Sequence, residues 1–405
     1  MTTPSSSRSL RPLAAPVAAS ALYRSEWSNP HFRRLLVLQM AFGYCFSALL
    51  LVPKYADTWL GANAAQIGQL QASPVIIGIL AAPLCGRWLD RGAWRQAIIT
   101  GALLIAASTM AFGAIHRLDA AAYLLRGLQG LGNTLLLGGT GALITRIVAR
   151  EHHARAFGTV GAAALMMNAA ASSATEWLAE TRGWGMAFEV AGFCALLALG
   201  ISATMPALAP TPATTTAAPL ATSAWPLRRA VDTGAAAAGA GFATIATFTQ
   251  PFALSLGANR VATLFVGYTV TALFVRIAFG GVADRVGRRR AATVALAIYA
   301  LAALLASQLR PGWLFELGLV FGLAHGIAWP ALCALAVEHA PAERIGSALA
   351  RVQALFGVGS LLAVWGGGFL VERVGYPLTF VITSATVSAG AFVLGSAGAP
   401  RRSAG

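Results

Sequence analysis

Apolar residues in this chain fall into long unbroken blocks. Stretches of about 18 or more recur from end to end, and as helices rising about 1.5 Å per residue each would cross roughly 30 Å of hydrocarbon. The blocks predict spans at 34–54, 65–86, 95–115, 120–145, 156–178, 184–205, 233–255, 260–282, 291–309, 313–337, 346–370 and 377–397. A membrane β-barrel would alternate apolar and polar positions over segments of about ten residues. Continuous runs of Ala, Leu and Gly predict helices instead, because hydrocarbon forces each backbone group to find its partner within its own segment. Between the sixth and seventh runs, Pro206–Arg229 is dominated by Ala, Thr and Pro and has too little apolar content to bury a core. The expected organisation is a tail at 1–32, a six-helix half at 33–205, a linker at 206–230, a second half at 231–398 and a tail at 399–405. The expected fold class is an all-α membrane protein with twelve spans in two pseudo-symmetric halves.

Composition narrows the class. Only 11% of the 405 residues are charged and 57% are hydrophobic. A soluble domain carries about 25% charged residues, so these could not cover a water-facing surface of this size. The net charge of +15 raises nucleic acid as a partner, but the arginines sit in short loops between apolar runs, where they act as a topology signal. With the N-terminus inside, 21 Lys and Arg fall on the inner side. Six fall outside (Lys54, Arg117, Arg182, Arg260, Arg310, Arg373), leaving Arg126 and Arg276 within spans. That bias places both termini in the cytoplasm of a bacterial inner membrane, with the bilayer as partner and no nucleic acid. Cys45, Cys85, Cys194 and Cys333 lie inside apolar runs without paired spacing, so neither a disulfide framework nor a metal centre is expected.

The halves repeat. Leu60-Gly61-Ala62-Asn63 opens the second span and Leu256-Gly257-Ala258-Asn259 the eighth. Pro53 and Pro251 lie just upstream of them, and Asp90-Arg91 and Asp284-Arg285 follow the two spans. Parallel six-helix repeats build transporters with a site near midplane between the halves.

These features resemble the major facilitator superfamily from residue 33 to 397, in the manner of a bacterial proton-coupled efflux-type member. The superfamily's loop G-x-x-x-D-R/K-x-G-R/K-R/K is matched by Gly280, Asp284, Arg285, Gly287 and Arg288 in the second half. In the first half Gly86, Asp90 and Arg91 are kept and the later Gly is displaced. The resemblance implies that these loops take part in the conformational switch. Arg126-Gly127-Leu128-Gln129-Gly130-Leu131-Gly132 matches R-x-x-Q-G-x-G, a motif associated with proton-coupled members in which the Arg is implicated in coupling. The G-x-x-x-G-P-x-x-G-G stretch of the drug antiporters is absent from span five, which reads Asn168 to Glu176 without a Gly-Pro pair.

Polar residues inside hydrocarbon are candidates in their own right. An Arg at the helix centre costs about 2.5–3.5 kcal/mol on insertion scales, so Arg126 should face a cavity or a partner. Counting residues from the span ends puts Arg126, Glu189 and Glu176 at similar depth in the outer third. One expectation is an Arg126 pair with Glu189 or Glu176 as the protonatable group; the other is that Glu176 is interfacial and Glu189 points outward. His325 lies near midplane, beside Trp329-Pro330, and can carry protons or touch substrate, or simply pack. Asn133 occupies the matching position in span four. Trp329, Gln39, Tyr44, Gln129, Asn168, Thr247 and Gln250 are further cavity candidates, with helix–helix bonding as the alternative for the polar ones. Arg276 is expected to snorkel or to pair with Asp284.

No nucleotide loop, zincin helix or nucleophile elbow occurs in the sequence. An enzyme is therefore not expected, nor a cofactor. The expected activity is export of a small organic solute in exchange for protons, by a monomer working through alternating access. Uptake of a metabolite such as a sugar or organic acid is the alternative, with a lipid flippase or a non-transporting sensor behind it.

Overall fold

The computed structural model describes residues 27, 29–148, 152–205, 225–278, 286–338, 340 and 345–397. The described residues form helices with short turns and no strands. In chain order these are α1 (Pro30–Thr58), α2 (Ala64–Asp90), α3 (Trp94–Phe112), α4 (Ala120–Ile147), α5 (His153–Arg182) and α6 (Trp184–Ala203). The second half continues with α7 (Trp225–Ser255), α8 (Ala262–Ala278), α9 (Arg288–Ser307) and α10 (Leu314–Glu338). Ile345–Ser396 then divides at Gly375, where φ is +80°, into α11 and α12. Each expected span has its helix. Seven of the helical segments, the undivided α11–α12 among them, are long and apolar enough to cross a membrane on length and composition alone.

Two boundaries move. α7 begins at Trp225, inside the stretch expected as linker, and α1 begins at Pro30, inside the expected tail. α1 is also broken, because a 3-10 turn at Leu49–Leu51 precedes Pro53, which cannot donate to the preceding turn.

Local chemistry explains where helices start and stop. Asn63 and Gln66 form a reciprocal capping box on α2, and Asp119 accepts from the amides of Ala121 and Ala122 on α4. Gly183 (φ +88°) separates α5 from α6 as Gly375 separates α11 from α12. The repeat therefore extends to the turn between the last two helices of each half. A left-handed residue there needs glycine.

The helices assemble as two bundles side by side. Within the halves, α3 packs on α4 and α2 on α4, while α7 packs on α11 and α8 on α10. Between them, α2 meets α11 and α5 meets α8. Glycines set these approaches: a side chain at Gly130 would strike the Pro74 backbone, and one at Gly359 the Ala236 backbone. The end of the bundle where α1 begins and α12 ends (the termini end) is tied within halves. There Asn29 donates to the Ile147 carbonyl at 2.8 Å, Arg34 to the Thr204 carbonyl, and Arg351 pairs with Asp232. The opposite, far end is tied between halves.

Candidate functional site

At the far end, Lys54 leaves the last turn of α1 and is buried. Its ammonium lies 2.8 Å from Glu176 of α5 and 3.3 Å from the half-exposed Glu180, and donates to the Asn259 carbonyl at 3.0 Å. Glu176, 3% exposed, accepts from the amides of Val261 at 2.7 Å and Ala262 at 3.1 Å. Those amides are the unpaired donors at the start of α8, so a first-half carboxylate caps a second-half helix.

The second half returns the contact. Glu372, exposed near the end of α11, accepts from the Ala64 amide at the start of α2 at 2.8 Å. The Gln250 side chain donates to the Leu50 carbonyl at 2.8 Å, at the 3-10 break of α1. A side chain at Gly68 of α2 would strike the Val364 backbone of α11, and one at Gly368 would strike that of Ala64. The halves thus touch backbone to backbone at this end. Toward the termini end the α2 surface opens, with Leu80 and Leu84 at 67% and 62% exposure.

The expected Arg126–carboxylate pair is not formed. Arg126 is 5% exposed and donates to Gln129 at 2.6 Å and to Gln71 of α2 at 2.7 Å. Gln129 in turn reaches Thr109 of α3 at 3.5 Å. Two amide oxygens hold the cation, so the motif ties α2, α3 and α4 together. Glu176 is committed to Lys54 and α8, while Glu189 is exposed beside Met110 and Phe193 on the outside of α6.

His325 is half-buried, and its Nδ1 lies 2.6 Å from the Tyr299 hydroxyl. It belongs to a cluster of rings of which the sequence singled out only Trp329 of α10; the others are Phe242 of α7, Tyr268 of α8, Tyr299 of α9, Phe321 of α10 and Phe356 of α11. Asn133, its repeat counterpart, is half-buried with its side-chain oxygen unpartnered. Gln39 is buried with an unpartnered oxygen too, Tyr44 is half-buried, and Thr247 is buried. Asn168 takes the helix-bonding alternative, accepting from Ser47 of α1 at 2.5 Å.

Of the switch-loop residues, Gly280, Asp284 and Arg285 lie outside the described residues. Gly287 has φ +95° and precedes α9, and Arg288 lies 3.6 Å from Glu338. In the first half Gly92 takes the left-handed role (φ +82°), so the displaced glycine does the same turning one position away. Among the described residues, nothing lies within 4 Å of a side chain built at Gly86. Asp90 and Arg91 are exposed.

Known proteins resemble the chain at two levels. It is 31% identical over 120 residues to the niacin transporter NiaP of Acinetobacter baylyi, a match to 29% of this chain and 26% of that protein, so about a quarter of the relative's length is spanned. The nucleoside transporter NupG superposes with a TM-score of 0.73 at 14% identity, covering 90% of this chain and 98% of that one. The POT family transporter PepTSo gives 0.72 at 12% identity, covering 90% and 97%. The family described as Major Facilitator Superfamily matches residues 35–258 and 231–404. A repeated six-helix bundle matched over nearly its whole length is a multi-pass membrane transporter rather than an enzyme, and the chain belongs to the Major Facilitator Superfamily.

Proposed function

We propose that the chain carries a small organic solute across the bilayer in exchange for protons, by alternating access, and that this structure is the state closed at the far end. The carrying observation is the pair of reciprocal far-end latches, Glu176 on α8 and Glu372 on α2, opposite a termini end where α2 stands exposed. A two-state interface of this kind is what alternating access requires. The charge bias supports placing the termini in the cytoplasm, which makes this the inward-open state, and the organisation into two halves joined by a linker at 206–230 follows. Glu176 is the hub of the latch: it joins the Lys54 ammonium of α1 to the first amides of α8, so removing its charge releases the far end. Arg126 supports the same reading through the R-x-x-Q-G-x-G resemblance, and its bond to Gln71 lets α2 move with the rest of the first half. Uptake is the second reading, favoured by the similarity to a niacin transporter; reversing an imposed proton gradient in proteoliposomes separates the two directions.

The test uses spin labels at Trp59→Cys and Trp313→Cys, exposed far-end positions in opposite halves, in a chain whose four native cysteines are replaced. Two distance populations are expected, with Glu176→Gln moving weight from the shorter to the longer. One distance, unmoved by that substitution, sinks the proposal.

A further inference from the structure

The ring cluster of the second half lies at the edge of the core and is only partly covered. Phe242, His325, Trp329 and Phe356 are each half-exposed. Phe242 lies 5.1 Å from His325 and 5.8 Å from Phe356, and Trp329 lies 5.4 Å from Phe356. His325 and Trp329 are within 13° of parallel, so their faces point the same way. Tyr299 fixes the imidazole from behind.

A cation stands beside this wall. α8 runs parallel to α10 in a register set by glycines: Gly318 abuts the Leu264 carbonyl, Gly322 the Tyr268 carbonyl and Gly326 the Ala272 backbone. The same four-residue step brings Arg276 level with Pro330, about 6 Å further along and next to Trp329 in sequence. Arg276 is within electrostatic reach of His325, Tyr268 and Tyr299. Its guanidinium also points at the other half, since a side chain built at Gly161 of α5 would stand 3.9 Å from Nη1. Arg276 is half-buried, its Nε has no hydrogen-bond partner, and no described carboxylate pairs with it. Asp284, the counter-ion expected from sequence, lies outside the described residues. A membrane-embedded guanidinium needs an acceptor, and its planar fork matches a carboxylate.

The geometry points to a substrate site for a planar aromatic carboxylate, with the ring on Trp329, Phe356, Phe242 and His325 and the carboxylate on Arg276. The inference rests on the transport reading and adds to it the chemical class of the cargo. A neutral aromatic solute would make no use of the Arg276 fork, and an aliphatic anion would make no use of the rings.

Calorimetric titration of the full chain in lipid nanodiscs tests it with three probes: benzoate, benzamide and cyclohexanecarboxylate. The wild-type protein is expected to prefer benzoate to each of the others by about tenfold or more. Arg276→Gln should erase the preference over benzamide while leaving benzamide binding within about twofold, and Arg276→Lys should keep part of it. Trp329→Leu should erase the preference over cyclohexanecarboxylate. Equal wild-type affinity for benzoate and benzamide, an undiminished preference in Arg276→Gln, or no binding of any probe overturns the inference. Should Arg276→Gln fail to fold, as judged by its melting curve, the wild-type comparison and Arg276→Lys still decide. The transport reading stands or falls separately, on the far-end distances.

Discussion

In Glu176→Gln the far end stands open at neutral pH and net transport is lost. Glu176 carries three charge-assisted or backbone bonds at one point: the Lys54 ammonium and the amides of Val261 and Ala262. The amide side chain still accepts one bond, yet it leaves a buried ammonium with only the half-exposed Glu180 and the Asn259 carbonyl. Removing one partner of a buried pair costs about 3–5 kcal/mol, and the lower end applies here because some acceptors remain. About 3 kcal/mol shifts a two-state equilibrium by roughly a hundredfold. Two measurements check it: hydrogen exchange at Val261 and Ala262 rises by about that factor, and the spin-label distance moves to the longer population. Unchanged exchange would show that the contact does not hold the interface. Glu372→Gln should act in the same direction but more weakly, because Glu372 is exposed and makes one such bond. Pairing Glu176→Gln with Lys54→Met should cost less than the sum of the two, since removing the ammonium relieves the charge the first change strands.

The second large effect comes from a single methyl group placed at two glycines. Gly68→Ala puts Cβ into the Val364 backbone across the interface between the halves, and Gly359→Ala puts it into the Ala236 backbone within the second half. Overpacking of this kind costs about 1–3 kcal/mol, but the two positions differ in how they can respond. The α2–α11 contact can part, so Gly68→Ala should leave the melting temperature near wild type and populate the longer far-end distance. The α7–α11 contact has no second arrangement, so Gly359→Ala should melt several degrees lower with the distance distribution unchanged. Identical behaviour of the two variants would mean that α2–α11 is as fixed as the rest of the bundle.

Each expected span was legible because a lipid-facing backbone must satisfy itself locally, which makes apolar run length a direct readout of a helix. The repeat was legible because Leu60–Asn63 and Leu256–Asn259 enter the same turn twice, each with a glycine at positive φ. Partners across the bundle were another matter. Lys54 looked like one more loop charge in the topology count, and only the return of α5 and α8 beside α1 makes it the hub of a buried ion pair. Arg126 was legible as a residue needing a partner, but nothing in the run of α2 marks Gln71 as the one. Glu372 had a usable signal, since 113 residues separate Asn63 from Glu176 and the same number separate Asn259 from Glu372. The ring wall was invisible because its members lie on five helices, and the place of Arg276 depends on a glycine register visible only in three dimensions.

The reciprocity of the far-end caps has a consequence for how the two halves depend on each other. Each half opens its second helix with bare amides and keeps the carboxylate that would cover them on its fifth, where only the other half can use it. Neither half is self-sufficient. Expressed as separate six-helix chains, the two would be obligate partners, each completing its neighbour's cap. Two copies of one such chain, set about a twofold axis, would form the same bond twice. The fused protein keeps this exchange and adds Lys54 to one side only, where the matching position 196 residues on carries Gln250. What a symmetric pair would break in one event at both contacts, this chain can break one contact at a time.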